Sequence, residues 1–235
     1  MLFLAIDLGS TNTKAALYDE RMQRLATQSV PLAYLRADGF VEFDPDAYWE
    51  DLLKLIRSLF ASSGASPREL LNITLTGQAE SLLVLDAAGQ PLMNAISWMD
   101  ERSLAECAEL EAAFSSEACY AHTGQPAALP TWPATKILWL RKHKPEVYAN
   151  AAHYVLLKDY IVYRLTGALA ADCSIATFSF YFDIYERRYW PEMLAYLGIR
   201  KEQLPPLAEP CETAGTLLPE LAEFLGCSPD VAVNR

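Results

Sequence analysis

The sequence predicts an α/β fold, on three observations. An apolar run, residues 2–6, stops at Asp7; after Gly9 and a cluster of small hydroxyl and amide residues a second run, 15–18, resumes at once. Farther on, Asp44-Pro45 opens a stretch with Trp49, Leu52, Leu53, Ile56, Leu59 and Phe60 at helical spacing. Strand-like and helix-like segments then succeed one another through 235 residues, a length common for one large α/β domain.

Taken in order, residues 2–6 read as a buried strand and 14–19 as the return strand of a hairpin. Residues 23–34 read as a third strand. Asp44 is the expected N-cap of a helix and Pro45 its first residue. Its single apolar stripe faces a core, and the helix ends in residues 62–67. Residues 70–75 predict a strand that halts at Thr76-Gly77-Gln78-Ala79-Glu80. Residues 81–85 predict another, 87–90 a turn, and 91–98 a returning strand. Asp100 to Ser103 opens a helix through about Phe114, and a loop with three prolines spans 123–133. A helix at 135–143, a short strand at 153–157 and a helix at 158–166 closed by Gly167 follow. A polar loop starts at 171–174, before the aromatic run 178–182. Helices at 190–197 and 219–225 each precede a glycine. No repeat or low-complexity linker breaks the chain, so residues 1–235 read as one continuous domain.

Composition narrows the function. No apolar stretch approaches 18 residues, so nothing is expected to span a membrane. The first apolar run lacks a basic lead and is cut by Asp7, unlike a signal peptide. Five scattered cysteines (Cys107, Cys119, Cys173, Cys211, Cys227) form no C-x-x-C pair and read as reduced thiols of a cytoplasmic protein. His122, His143 and His153 have no metal-ligand spacing and read as surface or packing residues. The net charge of −11 argues against a nucleic-acid surface. It leaves nucleotide binding open, because Mg²⁺ and backbone N–H groups neutralise phosphate locally.

The turn after Asp7 is the strongest chemical signal. Successive N–H groups unshielded by bulky side chains form an anion nest, and the hydroxyls add donors. A carboxylate beside bound phosphates usually holds Mg²⁺, directly or through water. A lone D-x-G-S/T is also what an ordinary polar hairpin looks like; its place straight after a buried strand favours a nucleotide. Two further strand ends carry polar clusters, at Gln78/Glu80 and at Trp98/Asp100, where ligands sit in α/β folds. Trp98 offers an apolar plate for the C–H face of a sugar, and Glu80 and Gln78 offer acceptors and donors. A core aromatic at a strand end would explain Trp98 equally well.

Seven fragments in order carry a family resemblance: Ala5-Ile-Asp7-Leu-Gly9-Ser10-Thr11; Val41-Glu42-Phe43-Asp44-Pro45; Thr76-Gly77-Gln78; Asn94-Ala95-Ile96-Ser97-Trp98; Asp100 with Arg102; Leu156-Leu157-Lys158-Asp159-Tyr160; and Arg164-Leu165-Thr166-Gly167. Over essentially its whole length the chain resembles the FGGY carbohydrate kinases, which include glycerol, xylulose, ribulose and gluconate kinases. The resemblance implies an actin-like, ribonuclease-H-like α/β domain with a central mixed sheet and helices on both faces. Family members carry two such domains around a cleft and transfer the γ-phosphoryl of ATP to a sugar or polyol hydroxyl. It implies that Gly9, Ser10, Thr11, Asn12 and Lys14 face the ATP phosphates and that Asp7 sits by Mg²⁺. The acceptor is expected against Gln78, Ala79, Glu80 and Trp98, with Asp100 and Thr131 beside them. Asp159 and Asp172 are similar to acids that recur in the family, although Asp159 also stands where it would cap a helix.

The family's catalytic base, an aspartate in a G-G-x-D segment, is expected after Arg235. Asp230 lies before the last strand, in a Ser-Pro-Asp turn, and is not that base. The chain thus reads as the N-terminal, sugar-binding domain of a longer kinase, with its own C-terminal domain as partner and little turnover alone; exposed apolar surface would promote self-association. Glycerol kinases resemble this chain but carry arginine at the position of Ala79 and tyrosine at that of Thr131. Loss of both favours a ketopentose or larger acceptor. Two alternatives stay open: an actin-like ATPase that is not a sugar kinase, and a non-catalytic sugar-binding module derived from one.

Overall fold

Alternation along the first strand sets the architecture. In Leu2–Leu8 the residues Leu2, Leu4, Ile6 and Leu8 are buried, while Phe3, Ala5 and Asp7 point to the opposite face. In the computed structural model, which describes all 235 residues, this strand pairs antiparallel with Asn12–Asp19 and parallel with Leu70–Gly77. Arg24–Pro31 on one side and Ala232–Asn234 and Thr213–Thr216 on the other complete a mixed six-stranded sheet. One sheet face packs Leu4, Ile6, Leu17, Ile73 and Leu75 against the helices Pro45–Ser63 and Leu157–Thr166. The other face presents Ala5, Asp7, Lys14, Thr74 and Thr76.

The long helix forms where its cap dictates. The Asp44 carboxylate accepts from the N–H groups of Asp46 (2.9 Å) and Ala47 (3.2 Å), Pro45 occupies the first turn, and Gly64 closes the helix at φ 69°. Such an N-cap contributes about 1 kcal/mol. The buried stripe is broader than the sequence pattern, adding Tyr48 and Leu55, while Leu53 is only half-buried.

A second sheet, antiparallel throughout, joins Leu35–Ala37, Phe40–Phe43, Ala95–Ile96, Leu82–Leu85 and His153–Leu156. Its edge strand Leu35–Ala37 is exposed, while Leu82–Leu85 and its neighbours are buried on both sides. Leu83, Leu85 and Val155 enter the first core; Leu82, Val84 and Tyr154 enter a second core against the helices Leu104–Ala113, Pro133–His143 and Pro191–Leu197. That double burial is why residues 82–85 form an unbroken apolar run.

Three local expectations change. Of residues 91–98 only Ala95–Ile96 is strand, because Pro91 has no N–H to give and is reduced to an isolated bridge with Leu85. A helix at Ser116–Thr123, N-capped by Ser115 through the Ala118 N–H (3.1 Å), precedes the proline loop. The polar segment after Ala171 is a short helix, Cys173–Ala176, capped by Asp172 through the Ile175 N–H (2.9 Å). All five cysteines are free thiols, and no helix is long and apolar enough to cross a membrane.

Candidate phosphate and acceptor site

The first hairpin turns in three residues, Gly9, Ser10 and Thr11. A Cβ on Gly9 would lie 2.7 Å from the Asn12 carbonyl oxygen and 3.7 Å from both Asp7 carboxylate oxygens. Only glycine fits there, and the acid folds over the turn. The Tyr34 hydroxyl donates to the Ser10 carbonyl at 2.7 Å and the Leu32 N–H to the Thr11 carbonyl at 3.0 Å, so the following segment pins the loop. Asp7 and Lys14 are antiparallel partners, and with Thr27, Thr74 and Thr76 they line an open depression of about 320 Å³. Asp7 is half-buried, as are Ser10 and Asn12; Thr11 and Lys14 are exposed.

No group of three or more acids, cysteines or histidines could enclose a metal ion. Asp7 is the one carboxylate at the turn, which suits a hard cation only if other oxygens complete its shell. Gly9→Ala is expected to drive the Asn12 carbonyl from the turn, costing about 1–3 kcal/mol of stability as overpacking does. The melting temperature should fall with it, read by thermal denaturation.

The acceptor cluster forms where the chain crosses between the two sheets. Strand Leu70–Gly77 ends beside Leu8, and the Gln78 N–H donates to the Leu8 carbonyl at 3.0 Å. The phosphate turn and the acceptor cluster thus share the C-terminal end of one parallel strand pair, where α/β sheets bind ligands. Residues 78–81 then lead into Leu82–Leu85. Trp98 follows Ala95–Ile96, and Thr131 precedes the helix Pro133–His143. The Ser81 hydroxyl donates to Gln78 Oε1 at 2.7 Å and accepts from the Trp98 N–H at 3.1 Å, fixing both residues.

What this leaves is informative. Gln78 Nε2, Glu80 Oε2 and Trp98 Nε1 are shielded from water, yet none has a hydrogen-bond partner in the chain. Each such atom costs about 1–3 kcal/mol, so three at one junction need an explanation. Burial raises the Glu80 carboxyl above its ordinary value, while the Thr131 hydroxyl and the Lys136 ammonium pull it back. Ala79, half-buried between Gln78 and Glu80, adds no bulk. Gln78, Glu80, Trp98 and Thr131 line none of the five principal cavities.

Asp100 departs from its expected part. It is fully buried, and its oxygens are taken up inside the chain by the Val41 N–H (2.5 Å), the Arg102 N–H (3.0 Å) and the Arg102 guanidinium (2.7 and 2.8 Å). With Arg102 bonded onward to Glu42 at 2.7 Å, it braces the strand end below Trp98 and leaves no oxygen for a ligand. Asp159 accepts from the Leu156 N–H at 3.2 Å and caps the helix; Asp172 is ion-paired with buried Lys158. Sequence reasoning missed Ser81 and Lys136. The one available signal was a cation, Lys136, within the apolar helical run 134–140.

Comparisons with known proteins identify the family. The model of the FGGY family of carbohydrate kinases, N-terminal domain, matches residues 2–234. The chain belongs to that family. It is 31% identical over 226 residues to the xylulose kinase of Escherichia coli (strain K12), covering 96% of this chain and 46% of that one. To the glycerol kinase of Rhodospirillum rubrum it is 33% identical, covering 93% and 46%. Among solved FGGY structures, the gluconate kinase of Lactobacillus acidophilus superposes with a TM-score of 0.91 at 27% identity, covering 99% of this chain and 47% of that one. The chain spans about half the length of the curated relatives it matches.

Proposed function

We propose that this chain is the acceptor-binding half of an ATP-dependent sugar kinase, with a ketopentose or larger sugar or polyol favoured over glycerol. The observation that carries the reading is that Ser81 ties Gln78 to Trp98 at the strand end beside the Asp7–Gly9 turn, where Gln78 Nε2, Glu80 Oε2 and Trp98 Nε1 are each unpaired. Turned outward, those three groups answer a sugar's hydroxyls, and the indole face covers its C–H surface. Relatives named for xylulose, glycerol and gluconate support the class of acceptor. Ala79 and Thr131, where glycerol kinases are expected to carry larger side chains, support a larger one.

In this reading Gly9, Ser10, Thr11 and Asn12 offer donors to the nucleotide phosphates, Lys14 adds a charge, and Asp7 holds Mg²⁺. The bound ion supplies charge neutralisation of the phosphates. Phosphoryl transfer needs positioning and electrostatics more than covalent chemistry from the protein. The general base, worth about 10²–10⁴ in rate, is proposed to come from sequence following Arg235, together with the domain that closes the cleft. The test is sugar-dependent ADP formation by protein carrying that following domain, over a panel of pentuloses, hexuloses, polyols, aldonates and glycerol. A ketose, polyol or aldonate should lead, and the 235-residue chain alone should show no turnover. A strong preference for glycerol, or turnover by this chain alone, would overturn the reading.

A further inference from the structure

Lys136 is fully buried on the helix Pro133–His143, and no carboxylate lies within ion-pairing distance of its ammonium. Instead it donates to two backbone carbonyls, Ser97 at 2.8 Å and Glu80 at 3.4 Å. Those carbonyls belong to the two chain segments that carry the acceptor cluster. The peptide unit between Ser97 and Trp98 is therefore held at both ends, its carbonyl by Lys136 and its N–H by the Ser81 hydroxyl at 3.1 Å. Ser81 in turn fixes Gln78 through Oε1, which leaves Gln78 Nε2 free.

We infer that Lys136 is a positioning residue of the acceptor site, one that clamps the Trp98 peptide and the Glu80 carbonyl in register without touching the sugar. The inference rests on the proposed acceptor site and adds to it the residue that sets its geometry. An isolated buried ammonium is otherwise hard to account for, since an apolar residue of equal length would pack without the desolvation cost. The carbonyls gain charge-assisted hydrogen bonds, which are stronger than neutral ones. Burial pushes the ammonium down to about 7, against the pull of Asp100 and Glu80 and with the push of Arg102; Glu42 stands behind Arg102. Its charge is accordingly lost as pH rises through neutrality. The Glu80 carboxylate loses a nearby cation over the same interval, and the hydrogen bonds to both carbonyls weaken.

Lys136→Met keeps the length of the side chain and removes the charge. In this chain, titrated with D-xylulose and followed by calorimetry, the variant should bind about 10-fold more weakly than the parent. The parent's affinity should decline between about pH 6 and 8, and the variant should be flat over that interval. Ser81→Ala opens the other end of the same peptide without touching a buried charge and should weaken binding to a similar degree. It covers the case in which Lys136→Met fails to fold. A folded Lys136→Met with parental affinity and an unchanged pH profile overturns the inference, as does unaltered binding by Ser81→Ala. If the parent chain binds none of the sugars in the panel, it is the acceptor site itself that fails.

Discussion

Glu80→Gln is expected to weaken acceptor binding by about 10–100-fold while leaving the fold as stable or slightly more so. Glu80 carries the one buried acidic oxygen of the cluster that lacks a partner. Hydrogen bonds to a charged group contribute about 1.5–3 kcal/mol, and a neutral amide forfeits most of that. Stability should move the other way. Burial holds the Glu80 carboxyl above its ordinary value near 4.5, so the folded chain is penalised for keeping it ionised. That penalty is absent below the ordinary value, sets in as pH rises through the folded one, and persists at pH 7. The variant removes it, so its melting temperature should equal or exceed the parent's at pH 7 and converge with it below about pH 4.5. Sugar titration and thermal scans at two pH values read both effects. A melting temperature that falls while affinity holds would assign Glu80 to structure.

Arg102→Ala should have the largest effect on stability. The guanidinium is 1% exposed and bonds Asp100 at 2.7 Å and Glu42 at 2.7 Å. It also lies over the rings of Phe40 (4.0 Å) and Trp139 (4.9 Å). Removing one member of a buried ionic cluster leaves an uncompensated charge and costs about 3–5 kcal/mol. At roughly 2–4 °C per kcal/mol for a chain of this size, the melting temperature should drop by about 6–20 °C. Arg102→Lys should recover little, since an ammonium cannot reproduce the planar fork or its stacking. The same cluster sets an acid limit. Burial alone would raise the Asp100 carboxyl, but Arg102 and the backbone N–H groups of Val41 and Arg102 outweigh it and hold the group below 3.8. Its contribution is complete above the ordinary value and is lost as pH falls through the lowered one. In Arg102→Ala that part of the acid transition should shift to higher pH.

The hairpin at Asp7, the Asp44 cap and the polar strand end at 78–80 were legible in the sequence, because each is written in contiguous residues. A cap, a strand end and a tight turn leave local marks. The part of Asp100 did not, because the partners that consume its oxygens include Val41, 59 residues away, and Arg102 ties it onward to Glu42. Read locally, an acid beside Trp98 looks free. Lys136 was illegible for another reason: its partners are backbone carbonyls, which every residue possesses and no residue type announces. The burial of Leu82–Leu85 on both faces likewise depends on helices distant in the chain, such as Pro133–His143.

The most direct measurement is an NMR titration of the ¹⁵N-labelled chain with D-xylulose, with glycerol run beside it. The Trp98 indole N–H is identified by its loss in Trp98→Phe, and the Gln78 side-chain amide by Gln78→Glu. Both signals should move with the ketose, saturate together, and shift little at equal glycerol. Shifts confined to other regions of the chain, or none in either signal at saturating sugar, would contradict the account.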